Sequence, residues 1–398
     1  MRKFAHRVYD KREQICYLHP KKIFAILLSI TGTVTGTVTV MQKPGRPTIK
    51  EVAFAAGVST QTVSRVINDR PDVSPETRKR IQEVIEQLGY QPSALARSLI
   101  RKRSYTLGVV TAGLKYIGPS RTLSGITSAA EEAGYSLLLK ELPRFDSNNV
   151  VPIFQTLLSR QVDGIIWAVP EVGENFNWIN RSSLDPNIPM VYLTMKSREK
   201  ICVVSIDNYL GGQLAMAHLI GQGYQHIGHI SGPLDWWEAR ERKAAWRDSL
   251  KEVNLEIKDE YWVEGNWSSS SGQKAIQKLF QQYPEIDAVF VANDQMALSV
   301  MQFACRKGIR IPRDLGVVGF DNVPESEFYW PPLTTVDQDQ FNVGEVAVEE
   351  IIKIIESGWD EHEPVKPKTI MLTPTLVVRQ SSLKRERHKK EVDLENIV

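Results

Sequence analysis

Between residues 48 and 89 the apolar positions recur every three or four residues, a spacing that predicts three short amphipathic helices. On each helix these positions fall on one face, so we expect the three helices to close one small core. The positions are Ile49, Val52, Ala53 and Ala56, then Val63, Val66 and Ile67, and finally Ile81, Val84, Ile85 and Leu88.

Local signals agree with these helices. Thr48 and Glu51 have the spacing of a capping box, in which each side chain satisfies a free amide at a helix start. Gly57 permits a sharp turn, and Ser59 is placed to cap the second helix. Gly89 marks the end of the third helix. The spacing of the first two helices is that of a helix-turn-helix.

Beyond Ser104 the pattern changes to short, continuous apolar runs that alternate with helical segments, which is typical of buried parallel strands. Two successive sets of such units predict two doubly wound parallel-sheet subdomains. Ligands of such folds bind beyond the carboxyl ends of the strands and in the cleft between the halves. The predicted strands are 106–110, 136–139, 164–168, 190–193 and 203–206, followed by 226–231, 261–264, 288–292 and 316–320.

Charge divides the chain in a similar way. The net charge of the 398 residues is only +2, yet residues 1–105 carry 19 Lys and Arg against 8 Asp and Glu, whereas residues 106–398 carry 30 against 39. A basic front on an acidic body indicates that the head binds a polyanion and the body does not. At this length two or more domains are expected.

The second helix carries polar residues away from its apolar stripe, as a helix in a DNA major groove requires. Gln pairs in a bidentate manner with adenine, and Arg does so with guanine. The alternative is that this surface is the solvated face of an ordinary small helix. The polar residues are Thr60, Gln61, Thr62, Ser64 and Arg65.

The run from Val52 to Asn68, VAFAAGVSTQTVSRVIN, closely resembles the DNA-binding head of the LacI/GalR family of bacterial repressors. The resemblance continues from about Arg46 to about Ser381. It implies that Thr60, Gln61 and Arg65 touch base edges. It also implies a hinge helix that folds only on DNA and inserts a Leu into the minor groove. The predicted DNA-binding residues are Thr60, Gln61, Thr62, Ser64, Arg65, Asn68 and Leu99.

For the body, the resemblance implies an architecture like that of periplasmic binding proteins, with an effector site in the cleft. Asp, Asn and Arg side chains after the predicted strands suit the paired hydroxyls of a sugar, and a Trp suits the apolar face of its ring. Taken singly, Asp207 reads equally well as a helix cap, Arg240 as a surface charge and Trp267 as a core or rim aromatic. The predicted ligand-binding residues are Asp207, Arg240, Trp267, Asn293, Asp321 and Gln338.

Trp267 and Gln338 match positions used by the lac repressor-like branch of the family, and Gly118-Pro119-Ser120 also points there. A small galactoside is therefore one candidate effector. Ala168 stands where that branch has an Asn, so the branch alone does not identify the sugar.

The sequence offers no catalytic constellation, no metal-ligand spacing and no cofactor motif, so neither an enzyme nor a cofactor is expected. The three cysteines, Cys16, Cys202 and Cys305, form no disulfide framework, which favours a reducing, cytoplasmic setting. Residues 23–40 are uncharged and resemble a secretory signal or membrane span only poorly, so we expect residues 1–40 to be an upstream extension of the gene model or a disordered tail, with no membrane partner. The alternative is a membrane anchor.

The C-terminal tail lacks leucine heptads, and a two-fold operator requires a two-fold protein, so a homodimer is expected. The predicted organisation is an extension at 1–40, a helix-turn-helix domain at 41–90, a hinge at 91–104, an effector-binding and dimerisation domain at 105–381 and a charged tail at 382–398.

These patterns predict a sequence-specific regulator of transcription, a repressor of carbohydrate-utilisation genes that a small sugar releases from pseudo-palindromic operator DNA. Two alternatives stay open. One is a sugar-binding receptor without a DNA role, and the other is a regulator that responds to a purine or to a protein co-repressor.

Overall fold

The computed structural model describes residues 47–91, 103–147, 150–180, 188–357 and 366–384. The chain divides into two units, Met1–Ser93 and Ala94–Val398. Leu99, the 1–40 extension, most of the predicted hinge and most of the charged tail lie outside the described residues.

The first unit contains the three predicted helices, α1 (Ile49–Ala55), α2 (Thr60–Ile67) and α3 (Pro75–Leu88). Their apolar faces meet in one small core, as predicted. Its fully buried or nearly buried members are Val52, Ala53, Ala56, Val63, Val66 and Ile81.

The predicted caps set the ends of these helices. The Glu51 carboxylate accepts hydrogen bonds from the Thr48 amide at 2.6 Å and from the Thr48 hydroxyl at 3.1 Å. The Ser59 hydroxyl accepts from the Thr62 amide at 3.0 Å, which starts α2. Gly57, in the turn between α1 and α2, has φ +63°, a conformation that glycine adopts without steric cost.

The second unit contains two six-stranded sheets. The first sheet has the order β11-β5-β4-β3-β1-β2, and all its pairings are parallel. Its strands are β1 (Thr106–Ala112), β2 (Ser136–Leu142), β3 (Gly164–Ala168), β4 (Met190–Leu193), β5 (Cys202–Ile206) and β11 (Thr369–Leu372). Helices α4 (Ile117–Glu132), α5 (Val151–Ser159) and α10 (Gln340–Ser357) accompany it.

The second sheet has the order β12-β10-β9-β8-β6-β7, with only β12 antiparallel to its neighbour. Its strands are β6 (Ile227–Ser231), β7 (Trp262–Glu264), β8 (Ala288–Val291), β9 (Gly316–Phe320), β10 (Thr334–Asp337) and β12 (Thr375–Val377). Helices α6 (Asn208–Gly221), α7 (Trp237–Glu252), α8 (Ser269–Gln282) and α9 (Asp294–Lys307) cover it.

Each sheet defines a subdomain, and the chain passes between the subdomains three times. It leaves the first sheet after β5, returns after β10 so that α10 packs on α4, and crosses again between β11 and β12. The strands β10 to β12 are absent from the sequence prediction. They are short segments of three or four residues, and β11 and β12 lie at sheet edges and pair with strands far away in sequence.

Close packing of α4 on α10 depends on two glycines. A Cβ atom at Gly125 would lie 2.0 Å from the carbonyl oxygen of Phe341, and one at Gly344 would lie 2.3 Å from that of Thr122. Each helix therefore presents bare backbone to the other, which fixes the α10 crossover onto the first subdomain.

In the described part of the chain no helix is both long enough and apolar enough to span a bilayer. The same residues contain no group of three or more His, Cys, Asp or Glu side chains suited to a metal ion.

Candidate nucleic-acid interface and ligand cleft

The outer face of α2 carries the predicted base-reading side chains. Thr60, Gln61 and Arg65 are exposed, whereas Val63 and Val66 point into the core. This separation follows from the helical period, which places residues 61 and 65 one turn apart on the same face. A major groove accepts a helix that presents such a face.

Three further predicted residues, two on α2 and one directly after it, make hydrogen bonds within the head. The Thr62 hydroxyl lies 2.9 Å from that of Ser59, and the Asn68 amide donates to the Ser64 carbonyl at 2.7 Å. Arg65 forms an ion pair with Asp72 at 3.4 Å, with both side chains about half exposed. An exposed pair of this kind contributes little stability, so Arg65 is available to exchange Asp72 for another partner.

The second unit contains a cavity between its two subdomains, with about 820 Å³ of empty space that includes space open to solvent. Its lining includes residues at the carboxyl ends of strands from both sheets, the location expected of ligand sites in this type of fold. On the first sheet these are Ala168, Thr194 and Ile206, and on the second they are Asn293, Asp321 and Gln338.

Arg242 is the central cation of the cavity. Its side chain is 4% exposed. It donates to the Asn208 side-chain oxygen at 2.9 Å, to the Ala292 carbonyl at 2.5 Å and to the Gln338 side-chain oxygen at 3.3 Å. Its guanidinium also lies 3.7 Å from the centre of the Phe320 ring. These contacts hold the planar guanidinium group in one orientation. A fixed orientation is what bidentate hydrogen bonding to a polar ligand requires.

Asp321 pairs with Arg242, with 3.8 Å between Oδ1 and Nη1, and accepts a hydrogen bond from the Gln338 amide. Burial raises the pKa of Asp321 to about 6, although the positive charge of Arg242 opposes the rise. Glu238, one helical turn before Arg242, also lines the cavity. Burial raises the pKa of Glu238 to about 7, against the same positive charge.

A chain of aromatic rings crosses the cavity lining from the first subdomain to the second. The ring centres of Tyr116 and Phe145 are 5.8 Å apart, those of Phe145 and Trp236 are 4.6 Å apart, and those of Trp236 and Trp267 are 5.7 Å apart. Gly232 admits the last ring, because a Cβ atom there would lie 2.1 Å from Trp267. The cavity thus combines apolar ring faces with a few fixed polar groups.

Asn293 connects this aromatic chain to the polar groups. Its side-chain oxygen accepts from the Met296 amide at 2.9 Å and so caps α9, while its amide donates to the Trp267 carbonyl at 3.0 Å and to the Gln295 side chain at 2.8 Å. Asn293 therefore both caps α9 and lines the cavity.

Four of the six predicted ligand-binding residues line this one cavity, namely Trp267, Asn293, Asp321 and Gln338. Asp207 does not line it. Its carboxylate accepts from the Leu210 amide at 2.8 Å and caps α6, which was the alternative interpretation from the sequence. Its chain neighbour Ile206 lines the cavity instead.

The prediction that Arg240 faces the cleft is wrong. Arg240 is exposed and donates to the carbonyl oxygens of Leu234 and Asp235 at 2.9 and 3.0 Å. The reason is the helical period of α7. Residues 238 and 242 are four apart and share a face, whereas residue 240 lies about 200° round the helix from 238. Arg242 is the arginine of the cavity.

The sequence interpretation also missed Glu238 and the aromatic side chains of Tyr116, Phe145 and Trp236. The spacing of Glu238 and Arg242 was a usable signal, since residues four apart on a helix are neighbours. The aromatic residues come from three separate loops or helix starts, and no local pattern joins them.

Two segments of the chain match described families. Residues 48–93 match "Bacterial regulatory proteins, lacI family", and residues 216–382 match a periplasmic binding protein-like domain. Among curated proteins, the chain is 33% identical over 336 residues to the catabolite control protein A of Priestia megaterium. It has the same identity over the same length to the ribose operon repressor of Escherichia coli K12. Each match covers 84% of this chain and 99% of the relative. The chain belongs to the LacI family.

A solved structure agrees with this assignment. The lac repressor dimer bound to operator and the anti-inducer ONPF superposes with a TM-score of 0.74 at 31% identity, over 85% of this chain and 99% of that one. The predicted family and the predicted fold class are confirmed. This chain is thus a DNA-binding transcriptional regulator of the LacI family, with a helix-turn-helix head and a core of two α/β subdomains.

Proposed function

We propose that this LacI-family regulator represses carbohydrate-utilisation genes as a cytoplasmic homodimer, and that a small sugar bound in the core cavity releases it from operator DNA. A galactoside is the first candidate. The observation that carries this proposal is the arrangement of Arg242, Asp321 and Gln338 beside Trp267. Fixed donors and acceptors next to an aromatic ring suit the paired hydroxyls and the apolar face of a pyranose.

On DNA, Thr60, Gln61 and Arg65 would contact base edges, because their side chains form the exposed face of α2. The hydroxyl and amide groups of Thr62, Ser64 and Asn68 would position the helix against the backbone. Insertion of Leu99 into the minor groove stays a prediction from the family resemblance.

The location of the cavity suggests how a ligand would act. Three hydrogen bonds join the subdomains around it: Trp237 N–H to the Glu171 carbonyl at 3.1 Å, Gly173 N–H to the Asp235 carbonyl at 2.8 Å, and Arg121 to the Asn322 carbonyl at 3.3 Å. A ligand that touches both subdomains favours whichever relative orientation it binds more tightly. Its effect on DNA binding equals that difference in affinity and no more.

The ribose operon repressor and the lac repressor, to which this chain is similar, are named for sugars. Repressors named PurR are similar at the same level of identity, so the preference for a carbohydrate over a purine rests on the residues of the cavity and not on these names.

The test is fluorescence anisotropy of the full chain on a labelled two-fold operator at fixed salt, titrated with galactosides, glucosides and purines. We expect tight binding that one sugar reverses. Release by a purine alone would contradict the sugar effector, and absence of operator binding would favour the receptor alternative.

The variant Asp321→Ala should bind the operator as the unchanged protein does, yet lose the response to sugar by about tenfold or more, because a charged hydrogen-bonding partner is gone. Arg240→Ala is the matched control, since that side chain lies outside the cavity. If Asp321→Ala also lost operator binding, or kept the full response, the proposed role of Asp321 would be wrong.

A further inference from the structure

The charged side chains that line the cavity are two acids and one base: Glu238, Asp321 and Arg242. Asp321 has the ion pair with Arg242 and the hydrogen bond from Gln338. Arg242 also donates hydrogen bonds to the Asn208 side chain, the Ala292 carbonyl and the Gln338 side chain. When all three groups are ionised, the side chains that line the cavity carry a net charge of −1.

Glu238 accounts for that excess. Within the described residues its carboxylate takes part in no hydrogen bond and in no ion pair within 4 Å, although Arg242 and Asp321 are close enough to act on its charge. Three other arginines of the second unit have partners of their own. Arg198 pairs with Glu171 at 2.9 Å, Arg240 binds two backbone carbonyls, and Arg121 binds a third.

Glu238 is partly exposed in the cavity wall, and a carboxylate that is incompletely hydrated and has no cationic partner is less stable in its charged form than one in open water. The rise in the pKa of Glu238 to about 7 expresses this cost. Two events relieve it: protonation, or the arrival of a ligand that brings a positive charge. A ligand with a carboxylate or phosphate group has the opposite effect, because it adds a second negative charge beside Glu238.

The other residues that line the cavity indicate what kind of positively charged ligand it would bind. The aromatic rings and the amide side chains of Asn293 and Gln338 suit a sugar ring with hydroxyl groups, on the proposed function above. Trp267 lines the cavity, and its buried indole N–H has no hydrogen-bond partner among the described residues.

We propose that Glu238 determines the specificity of the cavity by pairing with a protonated amino group, so that the effector class is an amino sugar. This inference rests on the proposed sugar effector and narrows it. Anionic sugars, such as sugar phosphates and uronates, are excluded by the same carboxylate.

The experiment is isothermal titration calorimetry of the full chain, without DNA, at pH 7. The probes are galactosamine and glucosamine, their N-acetyl forms, galactose and glucose, and the two hexose 6-phosphates. The neutral hexose has a hydroxyl group in place of the ammonium group and is the size-matched comparison for the charge, whereas the N-acetyl form removes the charge but adds an acetyl group. We expect one amino sugar to bind about 10-fold to 100-fold more tightly than its N-acetyl and neutral forms, the range for one charged hydrogen bond. The 6-phosphates should bind most weakly.

The variant Glu238→Gln tests the residue itself. It should bind the amino sugar and the neutral sugar with similar affinities, because the amide keeps the shape of the carboxylate but carries no charge. Asp235→Asn is the matched control, since it removes one negative charge from an exposed side chain three residues away and should keep the preference. Retained affinity of Glu238→Gln for the neutral sugar shows that the variant is folded, and circular dichroism provides a second check.

The outcomes separate this inference from the proposed function. If a neutral sugar binds as tightly as its amino form and releases the operator, the amino-sugar inference is overturned and the sugar-responsive repressor stands. If Glu238→Gln keeps the preference for the amine, another group recognises the charge and the role of Glu238 is wrong. If neither amino sugars nor neutral sugars bind, both the amino-sugar inference and the proposal of a sugar effector are wrong.

Discussion

The Nη1 atom of Arg242 lies 3.8 Å from Oδ1 of Asp321, and the two side chains are 4% and 14% exposed. Arg242 comes from the second turn of α7, and Asp321 directly follows β9. Neither charge is fully compensated by the other at this distance, so both depend on neutral partners. Those partners are Asn208, Ala292 and Gln338, which lie on or beside three different elements. The pair therefore joins the end of the second sheet to its covering helices.

Replacing Arg242 with Ala should lower the free energy of unfolding of the core by about 3–5 kcal/mol, because Asp321 loses its buried cation. Thermal unfolding followed by circular dichroism measures this. Arg242→Lys, which keeps the charge but not the fork, should fold and should bind the effector more weakly.

Arg240→Ala is the control for that experiment. Arg240 is exposed, so its removal should change the free energy of unfolding by no more than about 0.5 kcal/mol. If the Arg240 and Arg242 variants lost the same free energy of unfolding, the assignment of Arg242 as the buried arginine and Arg240 as the exposed one would be wrong.

Ile81→Ala should destabilise the head by about 2–5 kcal/mol, because Ile81 is fully buried in a core of only a few residues. Operator binding should fall with the folded fraction of the head. Phe54→Ala removes a side chain that is 90% exposed and should leave head stability within about 0.5 kcal/mol. Chemical denaturation and operator anisotropy on the same samples would compare them.

Trp330→Asp should weaken self-association of the protein. Trp330 and Phe328 are 91% and 79% exposed, and the hydroxyl of Tyr329 between them reaches the Asp294 carbonyl at the start of α9 at 3.5 Å. Leu298, one turn further along α9, is 42% exposed. Large apolar side chains grouped in this way are typical of a contact between copies of a chain.

Sedimentation velocity over a range of protein concentrations would detect the change, with a shift from dimer to monomer expected in the variant. Val253→Asp, which changes an exposed apolar side chain at the far end of α7, is the control. A variant at Trp330 that remains dimeric at the lowest concentrations would place the dimer surface elsewhere.

His229 should make the core sensitive to acid. It is fully buried, lies between the rings of Trp246 and Phe290, and has its Nδ1 atom 2.9 Å from the Phe290 carbonyl oxygen. Burial lowers the pKa of His229 to about 3. The unfolded chain therefore binds a proton at this residue between about pH 6.5 and pH 3 while the folded chain does not, so stability is present above pH 6.5 and falls as the pH is lowered.

The loss should approach about 1.4 kcal/mol for each pH unit well below pH 6.5. His229→Asn keeps a donor for the carbonyl and does not titrate, so its free energy of unfolding should decline less steeply between pH 6 and pH 4. Urea denaturation at several pH values measures both slopes. Parallel slopes would mean that His229 is not the source of the acid sensitivity.

The sequence determined the head, the family and the two sets of β–α units, because these depend on local periodicity, on caps such as Ser59 and on turns such as Gly57. Asn293 and Asp321 follow predicted strands and line one cavity in the structure, since residues that follow parallel strands share one sheet edge. Gln338 lines the same cavity but was expected there only from the family resemblance, because the strand it follows was not predicted.

The tertiary structure alone decided which side chains complete that site. Whether Arg240 or Arg242 faces the cavity depends on the rotation of α7 about its own axis, which is fixed by packing against α6 and the second sheet. Strands β10 to β12 and the aromatic chain from Tyr116 to Trp267 join segments that are far apart in sequence. Pairing with segments far away in sequence is a property of the folded chain, and no local pattern of residues predicts it.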